Sequence, residues 1–144
     1  METLEPISGL TDEDALARFI FSEQHFAATT GRVKHQAFLP PSDGATSVFA
    51  IRSLPESHIW ELGRVFVASP ARRTLRARAD LTVRDVLAAS LKVVLNSTPA
   101  RHANLVGWPT EKSAQKLRAE ELAARATLKL TPAVVSGSPP LQSS

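Results

Sequence analysis

The chain contains no cysteine, which excludes disulfide frameworks, cysteine nucleophiles and thiolate metal sites. Its N-terminus, Met-Glu-Thr-Leu-Glu-Pro, lacks the basic and apolar regions of a secretory signal. No run of apolar residues approaches the length that is needed to cross a bilayer. The sequence therefore predicts a cytoplasmic protein that does not bind membranes.

Familiar catalytic and cofactor-binding motifs are also missing. The sequence has no Walker loop, no dinucleotide fingerprint, no His-Glu-x-x-His and no Gly-x-Ser-x-Gly. The spacing of His58 and Glu61 would allow both side chains to bind one metal ion, but the neighbouring sequence offers no further ligands. We therefore predict neither a bound metal nor a cofactor.

Charge is distributed unevenly along a chain whose net charge is only +3. Residues 1–31 hold six acids and one base, whereas residues 64–84 hold six arginines and one acid. Such a polarity produces an electric field that could orient an anionic partner or a second protein. The alternative is that the acidic end folds back on the basic middle, and both interpretations fit the charge count.

Capping signals and apolar spacing predict four helices. A Ser or Thr that is followed three residues later by Asp or Glu marks helix starts at Thr11, Ser53 and Thr82. A proline marks the start of the fourth helix. The predicted helices cover about 12–24, a segment after Pro55, a short segment from Val83, and about 110–126.

Alternation of apolar and polar residues predicts the strands. The clearest strand is 74–81, which places Arg76 and Arg78 on a solvent-facing side. Residues 32–39 and 47–52 are predicted to form a hairpin, and shorter strands are predicted at 91–95 and 127–130.

Together these elements predict a single α+β domain at 1–131. We expect an antiparallel or mixed sheet of about four to five strands, with three to four helices packed against one face. Residues 132–144 are rich in proline and serine, and we predict that they form a disordered tail.

The arginines between 72 and 78 form the first candidate site. Arg76 and Arg78 lie two residues apart on one face of the predicted strand, a spacing that suits successive phosphates of a nucleic acid. Nucleic-acid-binding proteins usually add aromatic residues for base stacking, and none lies between 67 and 107. The alternative interpretation is an ordinary solvent-exposed strand face.

The stretch Ala100-Arg-His-Ala-Asn-Leu-Val-Gly-Trp-Pro109 forms the second candidate site. If it is extended, His102, Asn104 and Trp108 point to one side, next to a helix N-terminus that attracts anions. Arg101 joins them if the strand bends. The alternative is a buried polar cluster at a corner that the glycine and the proline already explain.

His35 is predicted on the less polar face of its strand. A buried imidazole needs a hydrogen-bond partner, and Glu23 on the first predicted helix could supply it. The alternative is a structural histidine, or a strand bulge that turns the side chain outward.

Two functions from different classes remain open. The first, which we favour, is a non-enzymatic binding module of a larger complex. It recognises nucleic acid or an acidic protein surface through a basic stripe, formed by the arginines between 72 and 78. The second is a small metal-independent enzyme that acts on a nucleotide or RNA, with two histidines as general acid and base. The catalytic candidates are His25, His35 and His102, and the ligand-binding candidates are Arg52, Arg76, Arg78, Arg101, Asn104 and Trp108.

Overall fold

The computed structural model describes residues 7–42, 44–96 and 99–132. In these residues, six antiparallel strands form one sheet. A second, two-stranded sheet pairs Phe26–Ala27 (β2) with Arg32–Val33 (β3). The spatial order of the larger sheet is Lys92–Leu95 (β6), His102–Val106 (β7), Thr46–Ala50 (β4), Ala15–Ile20 (β1), Ala77–Thr82 (β5) and Thr127–Leu130 (β8).

Helices cover both faces of the larger sheet. In the described ranges they are Glu56–Leu62 (α1), a π-helical segment Gly63–Ala68, a single turn Ser69–Ala71 (α2), Val83–Ala88 (α3) and Lys112–Arg125 (α4). Helix α1 contributes to one hydrophobic cluster, while α3, α4 and the small sheet contribute to the other. The α+β class is confirmed, but the larger sheet has six strands where four to five were predicted, and the placement of all helices against one face was wrong. None of these helices has the length and apolar character of a membrane span.

The predicted first helix is a strand, β1, at the centre of the sheet. Its apolar residues look helical because the strand is buried on both faces, so apolar and polar positions do not alternate. Leu16 and Ile20 face one hydrophobic cluster, whereas Ala17 and Phe19 face the other. Thr11, predicted to cap a helix, instead donates its backbone N–H to the Asp14 carboxylate in a turn.

The predicted hairpin between 32–39 and 47–52 does not form. Strand β4 pairs with β1 and β7, while β3 pairs with β2. Residues His35–Ala37 form a 3-10 turn instead of a strand. Longer-range pairings of β4 with β1 and β7 therefore replace the local hairpin that was predicted.

Several local predictions are confirmed. Thr82 and Asp85 form the predicted capping box at the start of α3, and α4 lies in its predicted range. Strand β8 has the predicted bounds, and β6 differs from its prediction by one residue. The capping box predicted at Ser53 is not formed, because Pro55 occupies the N-cap of α1 without a side-chain hydrogen bond. The predicted tail, apart from residue 132, lies outside the described residues.

Candidate functional site

The larger sheet opens between two of its central strands. Strands β1 and β4 pair at only two positions, Leu16 with Ala50 and Ala17 with Phe49. Beyond these pairs, β1 continues along β5 and β4 continues along β7. The two strands therefore separate and leave a gap that exposes backbone carbonyl groups.

Arg18 of β1 fills this gap. Its Nε donates to the carbonyl of Ala37 at 2.8 Å, and its Nη1 donates to the carbonyl of Ser47 at 2.9 Å. Burial, with a smaller contribution from the charge of Arg73, lowers the pKa of Arg18 to about 10. Within the described part of the chain no carboxylate forms an ion pair with this guanidinium. Arg18 is thus a half-buried positive charge that two backbone carbonyls hold in place.

One groove beside Arg18, which we call the histidine groove, has a volume of about 550 Å³. It brings together residues from β1, β4, β7 and the turn before β2. Their polar side chains converge on one space, and the described residues that line it include no carboxylate. The polar residues of the histidine groove are Arg18, His25, Gln36, Ser47, His102 and Asn104.

His102 connects two polar side chains in this groove. Its Nε2 lies 2.6 Å from the hydroxyl of Ser47, and its Nδ1 lies 2.7 Å from Oδ1 of Asn96. A carboxamide oxygen only accepts hydrogen bonds, so Nδ1 carries the proton and Nε2 is left to accept the proton of Ser47. Phe49 holds the imidazole from the side in an edge contact, with 5.3 Å between ring centroids.

Two histidines of the groove have shifted acidities. Burial lowers the pKa of His102 below 6.5. Burial also lowers the pKa of His25, with further contributions from the charges of Arg18, Arg73 and His35. Both imidazoles are therefore mainly neutral at pH 7.

These shifts predict that acid weakens the fold. The unfolded chain takes up protons on His25 and His102 near pH 6.5, whereas the folded chain takes them up only at lower pH. The free energy of unfolding should therefore fall as the pH falls from 6.5 towards the folded pKa values. Urea denaturation between pH 7.5 and 5.0 measures this slope, and the double variant His25→Gln, His102→Gln should flatten it. An unchanged slope in the double variant would contradict the assignment.

A second groove, which we call the arginine groove, shares Arg18 and His25 with the histidine groove and has a volume of about 540 Å³. The Cζ atom of Arg73 lies 5.7 Å from the centroid of the Phe21 ring, within the range of a cation–π contact. Arg76 donates from Nε to the carbonyl of Phe21 at 3.0 Å and pairs with the exposed Glu23 at 3.2 Å. The fold thus places an aromatic ring among the arginines, which the linear sequence did not indicate.

Arg78 lies elsewhere, and its predicted exposure was wrong. Its side chain is 1% exposed because helix α1 covers this face of β5. The guanidinium bonds to Glu56 at 2.6 Å and to Asp80 at 2.9 Å. It also lies over the Trp60 ring, 4.8 Å from its centroid. Arg76 precedes β5 and does not share this buried network.

The other two arginine candidates also lie outside both grooves. Arg52 forms an ion pair with Asp14 at 2.5 Å, and this hydrogen bond is the main cause that lowers the pKa of Asp14 to about 2. Arg101 is buried, and its Nη1 donates to the carbonyl of Arg52 at 2.6 Å. Both side chains hold the end of β4 in place.

Only part of the predicted cluster around His102 comes together. Asn104 shares the histidine groove with His102. Trp108 packs against the hydrophobic core, and its indole N–H donates to the carbonyl of Leu105 at 3.0 Å. Gly107 has φ +88°, a left-handed conformation that breaks the strand alternation and turns Trp108 away.

His35 does not have its predicted setting, because it lies in a 3-10 turn instead of a strand. It lines a separate cleft between the small sheet and α4. The carboxylate of Glu23, expected to bind it, pairs instead with Arg76. His25 therefore joins His102 in the histidine groove, whereas His35 does not line it.

The sequence did not identify four residues of the two grooves and their hydrogen-bonded neighbours: Arg18, Phe21, Ser47 and Asn96. The signal at Arg18 was a single base in an acidic segment, set between apolar residues that had to be buried. Ser47 and Asn96 carried no comparable signal, because each reaches His102 only through the pairing of β7 with its neighbours.

Comparisons with protein-family models, with curated proteins and with solved structures find no match to this chain. Across residues 7–42, 44–96 and 99–132, no three His, Asp or Glu side chains come together as a metal site.

Proposed function

We propose that the chain binds the phosphates and a base of a nucleotide or of single-stranded nucleic acid in the arginine groove. The observation that carries this proposal is the position of the Phe21 ring beside Arg73, with Arg76 bonded to the backbone carbonyl of Phe21. Aromatic rings stack on bases of any sequence, and neighbouring arginines bind the phosphates. This arrangement supports the binding module predicted from the sequence.

The charges of the groove also favour an anionic ligand. The charge of Arg73 contributes to the lowered pKa of Arg18, so the two cations repel each other. In the described ranges neither forms an ion pair with a carboxylate. A bound phosphate would relieve this repulsion and supply a counter-charge to both arginines.

The proposed binding surface differs from the stripe expected from the sequence. Arg76 remains part of it, but Arg78 is buried in its ion pairs and is replaced by Arg18 and Arg73. A cytoplasmic location and protein partners stay predictions of the sequence.

Binding of a fluorescein-labelled single-stranded 12-mer, followed by fluorescence anisotropy, tests the proposal. We expect affinity to fall steeply with salt through counterion release. Arg73→Ala should weaken binding and reduce the slope of log K against log salt by about 1. Lys112→Ala removes the same charge from an exposed site on α4 and should leave the slope unchanged.

The identity of the ligand follows from competition. A mononucleotide that displaces the 12-mer fully at micromolar concentration would identify a nucleotide site, whereas weak displacement would identify a strand-binding site. Binding that is absent at low salt, or that both variants weaken equally, would overturn the proposal.

A further inference from the structure

We propose that Ser47 is the nucleophile of a hydrolytic site in the histidine groove, which cleaves carboxylic esters that bear a negative charge near the carbonyl. This inference goes beyond ligand binding in the arginine groove and does not depend on it. It rests on the hydrogen-bonded series Ser47, His102 and Asn96, together with the charge of Arg18.

Ser47 and His102 are in direct contact, as a nucleophile and its base must be. A serine hydroxyl is a weak nucleophile until a neighbouring base takes its proton. The 2.6 Å distance between Ser47 Oγ and His102 Nε2 lies within the range of a direct proton transfer. Both side chains are half-buried and line the groove, so a substrate in the groove would contact the hydroxyl.

Asn96 is the group that orients the base. Asn96 accepts the Nδ1 proton of His102 at 2.7 Å and thereby fixes the tautomer that leaves Nε2 unprotonated. The same requirement of nucleophile, base and orienting group recurs on unrelated folds. Here β4 supplies the nucleophile, β7 supplies the base and the end of β6 supplies the orienting amide.

Arg18 brings a positive charge to the site. Arg18 donates to the backbone carbonyl of Ser47 itself, which places its guanidinium beside the reacting residue. The described residues that line the groove include no carboxylate to neutralise it. An anionic substituent on the substrate would therefore be drawn to Arg18 while the ester carbonyl lies at Ser47.

The chemistry balances without a metal or a redox partner. Ser47 Oγ attacks the carbonyl carbon, and its proton passes to His102 Nε2. The bond between the carbonyl carbon and the leaving oxygen then breaks, and His102 returns the proton to the departing alcohol. A water molecule, deprotonated in turn by His102, attacks the acyl group on Ser47, and the acid leaves as Ser47 recovers its proton.

The alternative is a purely structural set of hydrogen bonds that holds β4, β6 and β7 in register. A covalent probe separates the two roles, because a structural hydroxyl does not react. Incubation with an uncharged alkyl fluorophosphonate should add one phosphonyl group, with loss of fluoride, and peptide mass spectrometry should locate it on Ser47. Ser47→Ala should abolish the mass increase, while Ser113→Ala, an exposed serine on α4, should react as the unmodified chain does.

Substrate charge is tested with a matched pair of chromogenic esters, 4-nitrophenyl acetate and 3-carboxy-4-nitrophenyl acetate. We expect a higher kcat/KM for the carboxylate-bearing ester. Arg18→Gln keeps a donor near the Ser47 carbonyl but removes the charge, so the preference should fall about tenfold. Circular dichroism checks that the glutamine variant folds. If it does not fold, Arg18→Lys provides the test, because lysine keeps the charge and should retain the preference for the carboxylate-bearing ester.

Several outcomes would overturn the proposal. They are absence of labelling, labelling at a serine other than Ser47, and equal kcat/KM for the two esters. Cleavage of RNA that persists in Ser47→Ala would assign the groove to phosphodiester chemistry instead. If the oligonucleotide does not bind but the fluorophosphonate labels Ser47, the proposal for the arginine groove fails and the proposal for the histidine groove stands.

Discussion

Replacing Arg78 with alanine should lower the free energy of unfolding by about 3–5 kcal/mol. The guanidinium is 1% exposed and bonds to Glu56 and Asp80 while it covers the Trp60 ring. Its removal leaves Asp80, whose side chain is 16% exposed, as a largely buried charge without its main partner. It also leaves a space beside Trp60, and both effects act in the same direction.

Urea denaturation at pH 7 measures this loss. Arg64→Ala is the matched control, because Arg64 pairs with Glu61 on the exposed side of the helical segment and should cost less than about 1 kcal/mol. Similar losses in the two variants would contradict the importance of the buried network.

The pH dependence gives a second readout of the same network. The hydrogen bond from Arg78 is the main cause that lowers the pKa of Glu56 below 4.5. A lowered carboxyl pKa stabilises the fold above the unfolded value, and this stabilisation is lost as the pH falls through the folded value. Arg78→Ala should therefore reduce the dependence of stability on pH below 4.5.

The elements that depend on local interactions could be predicted from the sequence. The capping box of Thr82 and Asp85 needs only four consecutive residues, and α4 has a proline before it and a long run of good helix formers. Strand β1 could not be recognised in this way. Its burial on both faces depends on α1, which lies some forty residues further along the chain, and on α4.

The site was harder to predict than the fold, because its residues meet through strand pairing. His102 and Asn104 were predicted together because they belong to one strand and alternate on one face. Ser47 joins them through the register of β4 with β7, in which Ser47 lies opposite Asn104. Arg18 enters only because β1 and β4 separate, and no local pattern indicates where two strands part.

The arginines show the same limit of local patterns. Arg76 and Arg78 have the spacing of a phosphate-binding stripe, yet one is exposed beside Glu23 and the other is buried beside Glu56. The acidic partners come from distant segments, as expected if part of the acidic N-terminal region folds back on the basic middle. Of the two interpretations of the charge asymmetry, the ion pairs of Arg76 with Glu23 and of Arg84 with Glu13 show that such folding back occurs.

Replacing His102 with glutamine should slow fluorophosphonate labelling of Ser47 by about 10²–10⁴-fold, the usual contribution of a general base. Glutamine still offers polar atoms to Ser47 and Asn96, so the free energy of unfolding should change by only about 1 kcal/mol.

The pH dependence of labelling distinguishes a base from a structural imidazole. Only neutral His102 accepts a proton, and burial lowers its pKa below 6.5. The labelling rate of the unmodified chain should therefore rise with pH and reach its plateau with a midpoint below 6.5, whereas His102→Gln should lack this transition. Asn96→Ala should reduce the plateau, because the imidazole then loses the acceptor that fixes its tautomer. A glutamine variant that folds and labels at the original rate would show that His102 serves the strand pairing alone.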